Sequence, residues 1–191
     1  IYEEFLARLE EKTRGLKIGN SINYDTDFGP LISEGHRAQV LSCIQKGLAQ
    51  GARLVCGGKI PPGLPSDIQK GFYLEPTIFA DVDNTMTVAR EEIFGPVLAV
   101  IKFSGLDHAV SLANDSPYGL ASCVWTKSIN KASQVSSRLQ CGIVWVNTYG
   151  GFYNEAPFGG YKQSGVGREL GEEGLLEYTQ SKHVCVDVTP G

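Results

Sequence analysis

Two carboxylates, an aliphatic residue, an aromatic ring and a Gly-Pro break follow one another in Glu91-Glu92-Ile93-Phe94-Gly95-Pro96, directly before the apolar run Val97 to Phe103. An apolar run of that length after a Gly-Pro break reads as a buried strand, which puts the acids and the ring on its entry loop. Loops held at the edge of a rigid scaffold are where binding residues gather. Adjacent carboxylates repel when both are buried, so one is expected to be solvated or salt-bridged and the other turned toward a ligand. Phe94, next to Gly95, is placed to present a ring face to something flat. The competing reading is a charged turn with a core-packing Phe. A second group of rings lies in Tyr149-Gly150-Gly151-Phe152-Tyr153 and in Ala156-Pro157-Phe158-Gly159-Gly160-Tyr161-Lys162. Aromatics on a long loop line pockets for apolar or cationic substrates, or simply pack the loop down. Both readings stand at this point.

Little else in the 191 residues is equipped for chemistry. Cys43, Cys56, Cys123, Cys141 and Cys185 are odd in number and form no C-x-x-C pair, and three of them sit inside apolar runs. They read as reduced core thiols of an intracellular protein, neither a disulfide frame nor a zinc site. His36, His108 and His183 are isolated, so no metal site and no triad is expected. Gly165-Val166-Gly167-Arg168-Glu169-Leu170-Gly171 approaches the dinucleotide fingerprint, but its third glycine comes one residue late and no strand precedes it. Asn114-Asp115-Ser116 fits the glycosylation pattern, yet Pro117 follows and the string reads better as a helix stop. No phosphate-binding Gly-Lys loop, H-E-x-x-H or nucleophile elbow occurs.

Composition narrows the partners. The 17 Lys+Arg and 21 Asp+Glu leave a net charge of -4, with bases scattered among acids as in Arg8-Leu9-Glu10-Glu11-Lys12, which argues against nucleic acid. No apolar segment approaches transmembrane length, and the first residues are amphipathic and charged, so no membrane is expected. Apolar content of 42% describes an ordinary globular domain with an appended element. The chain starts at Ile1 and its only methionine is Met86, which implies further sequence upstream. A cytoplasmic location is expected, with any targeting segment lying in that upstream part.

The elements that must position these groups follow from periodicity. Ile1, Phe5 and Leu9 recur at four-residue steps in a helix ended by Gly15, and a Gly-, Asn- and Asp-rich loop leads to Leu31. Ser33 is a good N-cap for a helix carrying Val40, Ile44 and Leu48 and ending at Gly51. Arg53–Cys56 reads as a strand, residues 58–71 as a Gly/Pro loop, and Phe72–Phe79 as an edge or bent strand because of Pro76. Strand Val97–Phe103, a helix bearing Leu106, Ala109, Val110 and Ala113, and strand Leu120–Trp125 come next. A helix bearing Ala132, Val135 and Leu139 and strand Ile143–Val146 complete the series. That order means an α/β fold with a parallel sheet built from two βαβ units and helices on both faces. Ligands gather at strand carboxyl ends in such sheets, so the segment from Asn147 to Arg168 is the second place to look. A helix around Glu172–Tyr178 and a strand His183–Val188, with Val184, Val186 and Val188 alternating against Cys185 and Asp187, close the chain. Such a strand closes its own sheet or adds to a neighbour's.

The strings Asp27-Phe28-Gly29-Pro30-Leu31, Gly51-Ala52-Arg53-Leu54 with Gly57-Gly58, Glu75-Pro76-Thr77 and Glu91 to Pro96 occur in that order. Asn114, Tyr118-Gly119-Leu120, Trp145-Val146-Asn147, and Pro157 to Gly160 leading into Lys162 and Ser164-Gly165 continue it. On these residues the chain resembles the C-terminal half of the aldehyde dehydrogenase superfamily over nearly its whole length. The run Gly160 to Glu169 looks most like betaine-aldehyde and other aminoaldehyde or general aldehyde members.

The resemblance implies that Glu92 holds the hydroxyls of the nicotinamide-side ribose of NAD or NADP and that Phe94 packs near the nicotinamide ring. Phe152 and Phe158 match aromatic positions lining the family's substrate tunnel, with Tyr149 and Tyr153 close by in sequence. A small aldehyde is the implied substrate, and a quaternary ammonium on it would meet cation-π partners in these rings. Residues 1–168 would be a catalytic-domain portion and 169–191 a helix and oligomerisation strand of a homodimer or homotetramer. The family's nucleophilic cysteine, general-base glutamate, oxyanion asparagine and main nucleotide-binding βαβ unit would lie before Ile1. No catalytic residue is therefore assigned in this chain, which alone should be inactive and would need the missing N-terminal portion. The alternative is a stand-alone, non-catalytic folding or assembly module of the same descent.

Overall fold

The computed structural model describes residues 1–188, in two compact units, one spanning Ile1–Phe103 and the other beginning at Ser104. In the first unit α1 (Tyr2–Arg14) and α2 (Glu34–Ala49) precede β1 (Arg53–Cys56) and β2 (Thr77–Ala80). A short α3 (Thr87–Arg90) and β3 (Val97–Ala99) follow. The strands form one sheet in the order β1-β2-β3, antiparallel then parallel. β2 is central and all four of its residues are buried. Successive side chains of a strand point to opposite faces. Phe79 accordingly packs with Val40, Cys43 and Ile44 of α2, while Ile78 and Ala80 pack with Leu6 of α1.

Local chemistry explains most of these boundaries. Ser33 caps α2, its hydroxyl accepting the His36 amide at 3.1 Å. Buried Thr77 is satisfied, its hydroxyl donating to the Glu75 carbonyl and accepting the Gly58 amide, both at 2.8 Å. Three sequence expectations are corrected here. The inward stripe of α1 is Tyr2, Leu6 and Leu9, while Ile1 and Phe5 are exposed. β2 begins at Thr77, after Pro76, and not at Phe72. β3 is three residues long, because Asp81 turns β2 away with φ +55° and little partner remains beyond the Val100 amide, which donates to the Phe79 carbonyl at 2.8 Å.

The second unit contains α4 (Gly105–Asn114), β4 (Tyr118–Gly119), β5 (Ala121–Val124) and α5 (Ile129–Ser136). β6 (Ile143–Val146), β7 (Tyr161–Lys162) and α6 (Gly171–Leu176) complete it. β5 and β6 run parallel, with Ala121 opposite Ile143 and Val124 opposite Val146, and α5 is their crossover. β4 and β7 pair antiparallel. The fold is thus mixed α/β, as the sequence indicates, but the three long apolar runs do not share one sheet. The first of them, β3, pairs with β2, a strand that Pro76 made difficult to place from sequence. The described strands make two parallel pairs with a helix in the connection, β2-α3-β3 and β5-α5-β6, but these lie in separate sheets, and β5 shows alternating exposure rather than cover on both faces. Among the described residues the valines of His183–Val188 belong to no strand ladder and stay exposed. Among the described residues no helix is long and apolar enough to cross a membrane.

Candidate functional site

The loop carrying Glu92 and Phe94 is held at both ends. At its entry the Thr87 amide donates to Gln50 Oε1 at 2.8 Å, and the Glu91 amide donates to the Thr87 carbonyl at 3.0 Å. Ile93 is buried in the cluster formed with Val40, Cys43, Ile44 and Val88, pinning the loop from beneath. At its exit the Val97 amide donates to the Gly95 carbonyl at 2.7 Å and the Thr77 amide to the Pro96 carbonyl at 2.8 Å.

Between these anchors Phe94 has φ +54° and is 76% exposed. A bulky residue in the left-handed region costs about 1–3 kcal/mol and persists only where its surroundings over-determine it. The residue that packs the core is therefore Ile93, and Phe94 is delivered to the surface. The two acids divide. The Cys43 thiol donates to Glu91 Oε2 at 3.9 Å, and burial, helped by that carboxylate, pushes the thiol's pKa up. Glu92 is exposed and has no hydrogen bond or ion pair among the described residues. Phe94, Gly95 and Pro96 line an open groove of about 490 Å³ together with Leu74 and the Asp27–Leu31 string. That string is shaped by the Lys17 amide donating to Asp27 Oδ2 at 2.9 Å and the Gly19 amide to the Phe28 carbonyl at 3.0 Å. Two strings more than 60 residues apart in sequence thus meet at one groove.

In the second unit the loop after β6 carries an aromatic row. Trp145 meets Tyr149 at 5.2 Å between ring centroids and Phe152 edge-on at 5.6 Å, and Phe152 meets Phe158 edge-on at 5.1 Å. Edge-to-face contacts at these distances contribute about 0.5–1.5 kcal/mol each beyond burial. The Trp145 indole donates to the Gly151 carbonyl at 2.8 Å, so one buried side chain organises both the loop backbone and its rings. Trp145 was legible only as part of Trp145-Val146-Asn147, and its position at a strand end beside a ring-rich loop was the signal. Tyr149 and Phe152 remain exposed at their outer surfaces, as does Tyr153, which makes no ring contact among the described residues. Phe158 is fixed by a bridge with Glu169, each amide donating to the other's carbonyl at 2.7 Å. Trp145 brings Tyr149 and Phe152 together, Phe158 joins the row through Phe152, and Tyr153 stands outside these ring contacts.

Several other strings singled out by sequence serve the scaffold. Asn114 donates to the Arg138 carbonyl and accepts the Gln140 amide, both at 2.8 Å, and Lys162 Nζ donates to the Asn114 carbonyl at 2.7 Å. Ser164 Oγ accepts the Gly119 amide at 3.0 Å. The Arg168 guanidinium donates to the Gly160 carbonyl at 3.1 Å and lies 5.5 Å above the Tyr161 ring. Asn147, at φ +54°, accepts the Thr126 amide and donates to the Thr126 carbonyl, both at 2.8 Å. It locks the carboxyl ends of β5 and β6 together.

The model of the aldehyde dehydrogenase family matches residues 1–184. The chain belongs to the aldehyde dehydrogenase family. It is 46% identical to a betaine aldehyde dehydrogenase of Bacillus subtilis over its full length, and 49% identical to one of Brucella melitensis over 98% of it. In each case it spans 38% of the relative's length. Among solved structures it superposes on a point mutant of betaine aldehyde dehydrogenase from Staphylococcus aureus in complex with NAD+ with a TM-score of 0.95, at 42% identity over 99% of this chain and 38% of that one. The Mycobacterium tuberculosis aldehyde dehydrogenase complexed with NAD+ gives a TM-score of 0.92, at 45% identity over all of this chain and 38% of that one. This family member therefore has the length of about two-fifths of the relatives it matches.

Proposed function

We propose that this chain is the C-terminal part of an NAD(P)-dependent aldehyde dehydrogenase that oxidises an aldehyde to a carboxylic acid, and that it supplies a cofactor wall and a substrate wall. The observation that carries the reading is the loop of Glu92 and Phe94, which spends backbone strain to hold a ring and an unpaired carboxylate outward. A free carboxylate is suited to accept hydrogen bonds from two vicinal ribose hydroxyls, and a presented ring face restrains a flat heterocycle. These donor and acceptor types fit a nicotinamide nucleotide, and the NAD+ in the two structures cited above supports the assignment. When bound, such a cofactor supplies the hydride acceptor. The chain's own contribution is to anchor and orient it through Glu92 and Phe94.

On the substrate side, Phe152, braced by Trp145, and Phe158, held by its bridge with Glu169, offer an apolar wall, with Tyr149 and Tyr153 as flanking rings. Ring faces of this kind also attract a quaternary ammonium, which agrees with the names of the B. subtilis and B. melitensis relatives. We assign the nucleophile to none of the five cysteines: the exposed Cys123 and Cys185 lie in β5 and the terminal run, outside both the Glu92–Phe94 loop and the ring-bearing loop. Cys43, Cys56 and Cys141 are buried, and burial pushes the Cys43 and Cys56 thiols away from the reactive thiolate. The nucleophile and the general base are assigned to the rest of the longer protein. The purified 191-residue chain should therefore give no aldehyde-dependent NAD(P)H, whereas the full-length protein should. Production of NAD(P)H by the chain alone, above a blank without aldehyde, would overturn the division of labour.

A further inference from the structure

Helix α2 runs alongside the segment from Thr87 to Gly95 and touches it in strict reverse order. Gln50 accepts the Thr87 amide at 2.8 Å, Gly47 lies against Val88, the Cys43 thiol donates to Glu91, and Val40 lies against Gly95. Residues 40, 43, 47 and 50 are spaced three or four apart and so form one stripe of a helix. At two of the four points there is no spare room. A Cβ on Gly47 would lie 2.6 Å from a Val88 methyl carbon, and a Cβ on Gly95 would lie 2.8 and 2.9 Å from the two methyl carbons of Val40. Gly95 does not have a left-handed φ, so its backbone would accept alanine, and the nearest obstacle to that methyl is Val40. Val40 itself is fully buried and shares the cluster that holds Ile93.

Phe94 therefore sits between two fixed neighbours, Ile93 sunk in the core and Gly95 pressed onto Val40. A left-handed residue must be over-determined by what surrounds it, and these two contacts supply that constraint. We infer that Val40 is a positioning residue of the cofactor wall: its contact with Gly95 sets the backbone of Phe94 and hence the presentation of the Phe94 ring and the Glu92 carboxylate. The inference rests on the proposed role of Glu92 and Phe94. It concerns a side chain that touches no ligand and acts only through the loop.

The test is a double-mutant cycle in the full-length protein with Gly95→Ala, Val40→Ala and both together. Three quantities are read: the Kd for NAD+, the hydrogen exchange of the Thr77 and Val97 amides without cofactor, and the thermal midpoint. Gly95→Ala should weaken NAD+ binding about tenfold and speed exchange at both amides, because the new methyl must push the loop off α2. Val40→Ala should do the same more mildly by opening a gap. In the double variant the methyl introduced at position 95 occupies that gap, so Kd and exchange should return to within about twofold of the parent, even though the midpoint stays lowered by the lost core methyls. A Gly95→Ala variant with a lower midpoint and an unchanged Kd, or a double variant no better than the singles, overturns the inference. If Gly95→Ala does not fold, Val40→Ala and the double variant decide alone, and an unchanged Kd in Val40→Ala overturns it. Glu92→Gln and Phe94→Ala separate the two levels. If neither changes the Kd, the cofactor-wall reading falls and this inference with it; if they do while Gly95→Ala does not, only the inference falls.

Discussion

Asn147→Ala should be among the more damaging single changes in the second unit. Its side chain makes two hydrogen bonds to the Thr126 backbone, both 2.8 Å long, across the ends of β5 and β6. Each is worth about 0.5–1.5 kcal/mol net, and the exposure of Asn147 to water places them in the lower half of that range, about 1–2 kcal/mol together. Asn147 also sits at φ +54°, where asparagine is tolerated and alanine costs about 1–2 kcal/mol. The expected loss is about 3 kcal/mol, read as the change in unfolding free energy from urea titrations followed by near-ultraviolet circular dichroism, which Trp145 should dominate. Asn147→Gly removes the same bonds without the dihedral cost and should recover about 1 kcal/mol of that loss. A loss below about 0.5 kcal/mol for Asn147→Ala, or a glycine variant less stable than the alanine one, would refute the account of how the ring-bearing loop is launched.

Three further outcomes are expected. The Arg53 guanidinium, with Nε 2.6 Å from Asp81, and the Tyr2 hydroxyl hold the Asp81 carboxyl below the usual range. A depressed folded-state pKa means a contribution present above the ordinary carboxylate value and lost as pH falls through the folded one, so the stability gap between the parent and Asp81→Asn should shrink below about pH 4. A gap independent of pH would reject that. Phe152→Ala removes the ring between Trp145 and Phe158 and should lower kcat/KM for the aldehyde about tenfold with the NAD+ Kd unchanged; a change in Kd instead would move Phe152 to the cofactor side. Deleting the chain after Lys182 removes the exposed valines 184, 186 and 188 and should shift the full-length protein to smaller oligomers on size-exclusion chromatography. An unchanged elution volume would show that this run takes no part in assembly.

The parts of the fold legible in the sequence were those governed by local rules. The Ser33 cap, the extent of β1 and β6, and the helix with Val110 inward follow from capping chemistry and periodicity. The inward stripe of α1 was misjudged because two registers of apolar residues coexist, Ile1-Phe5-Leu9 and Tyr2-Leu6-Leu9, and only the packing of Leu6 against Ile78 and Ala80 selects one. Strand partnership was equally illegible. Val97 to Phe103 looks like any buried strand, and nothing in it shows that its neighbour is the short Thr77–Ala80 and not β5. The candidate site residues were visible as residue types, and their division of labour was not. Which of Ile93 and Phe94 enters the core depends on the sign of a single φ, and that sign is set by Gly95 lying against Val40 from a helix more than 40 residues away. Trp145 was visible in the string Trp145-Val146-Asn147, but its organising role was not, because that role lies in three simultaneous contacts, two rings and one carbonyl, that only the fold assembles.

The measurement closest to the central claim is single-turnover hydride transfer by Glu92→Gln in the full-length protein, followed as NAD(P)H absorbance under saturating aldehyde. An amide keeps the shape of the side chain but is a weaker acceptor for two hydroxyls, so the cofactor should be held less firmly and the transfer rate should fall about 10- to 100-fold. The Michaelis constant for the aldehyde should stay within about twofold. A transfer rate equal to the parent's, accompanied by a changed aldehyde Michaelis constant, would take Glu92 off the cofactor wall and contradict the account.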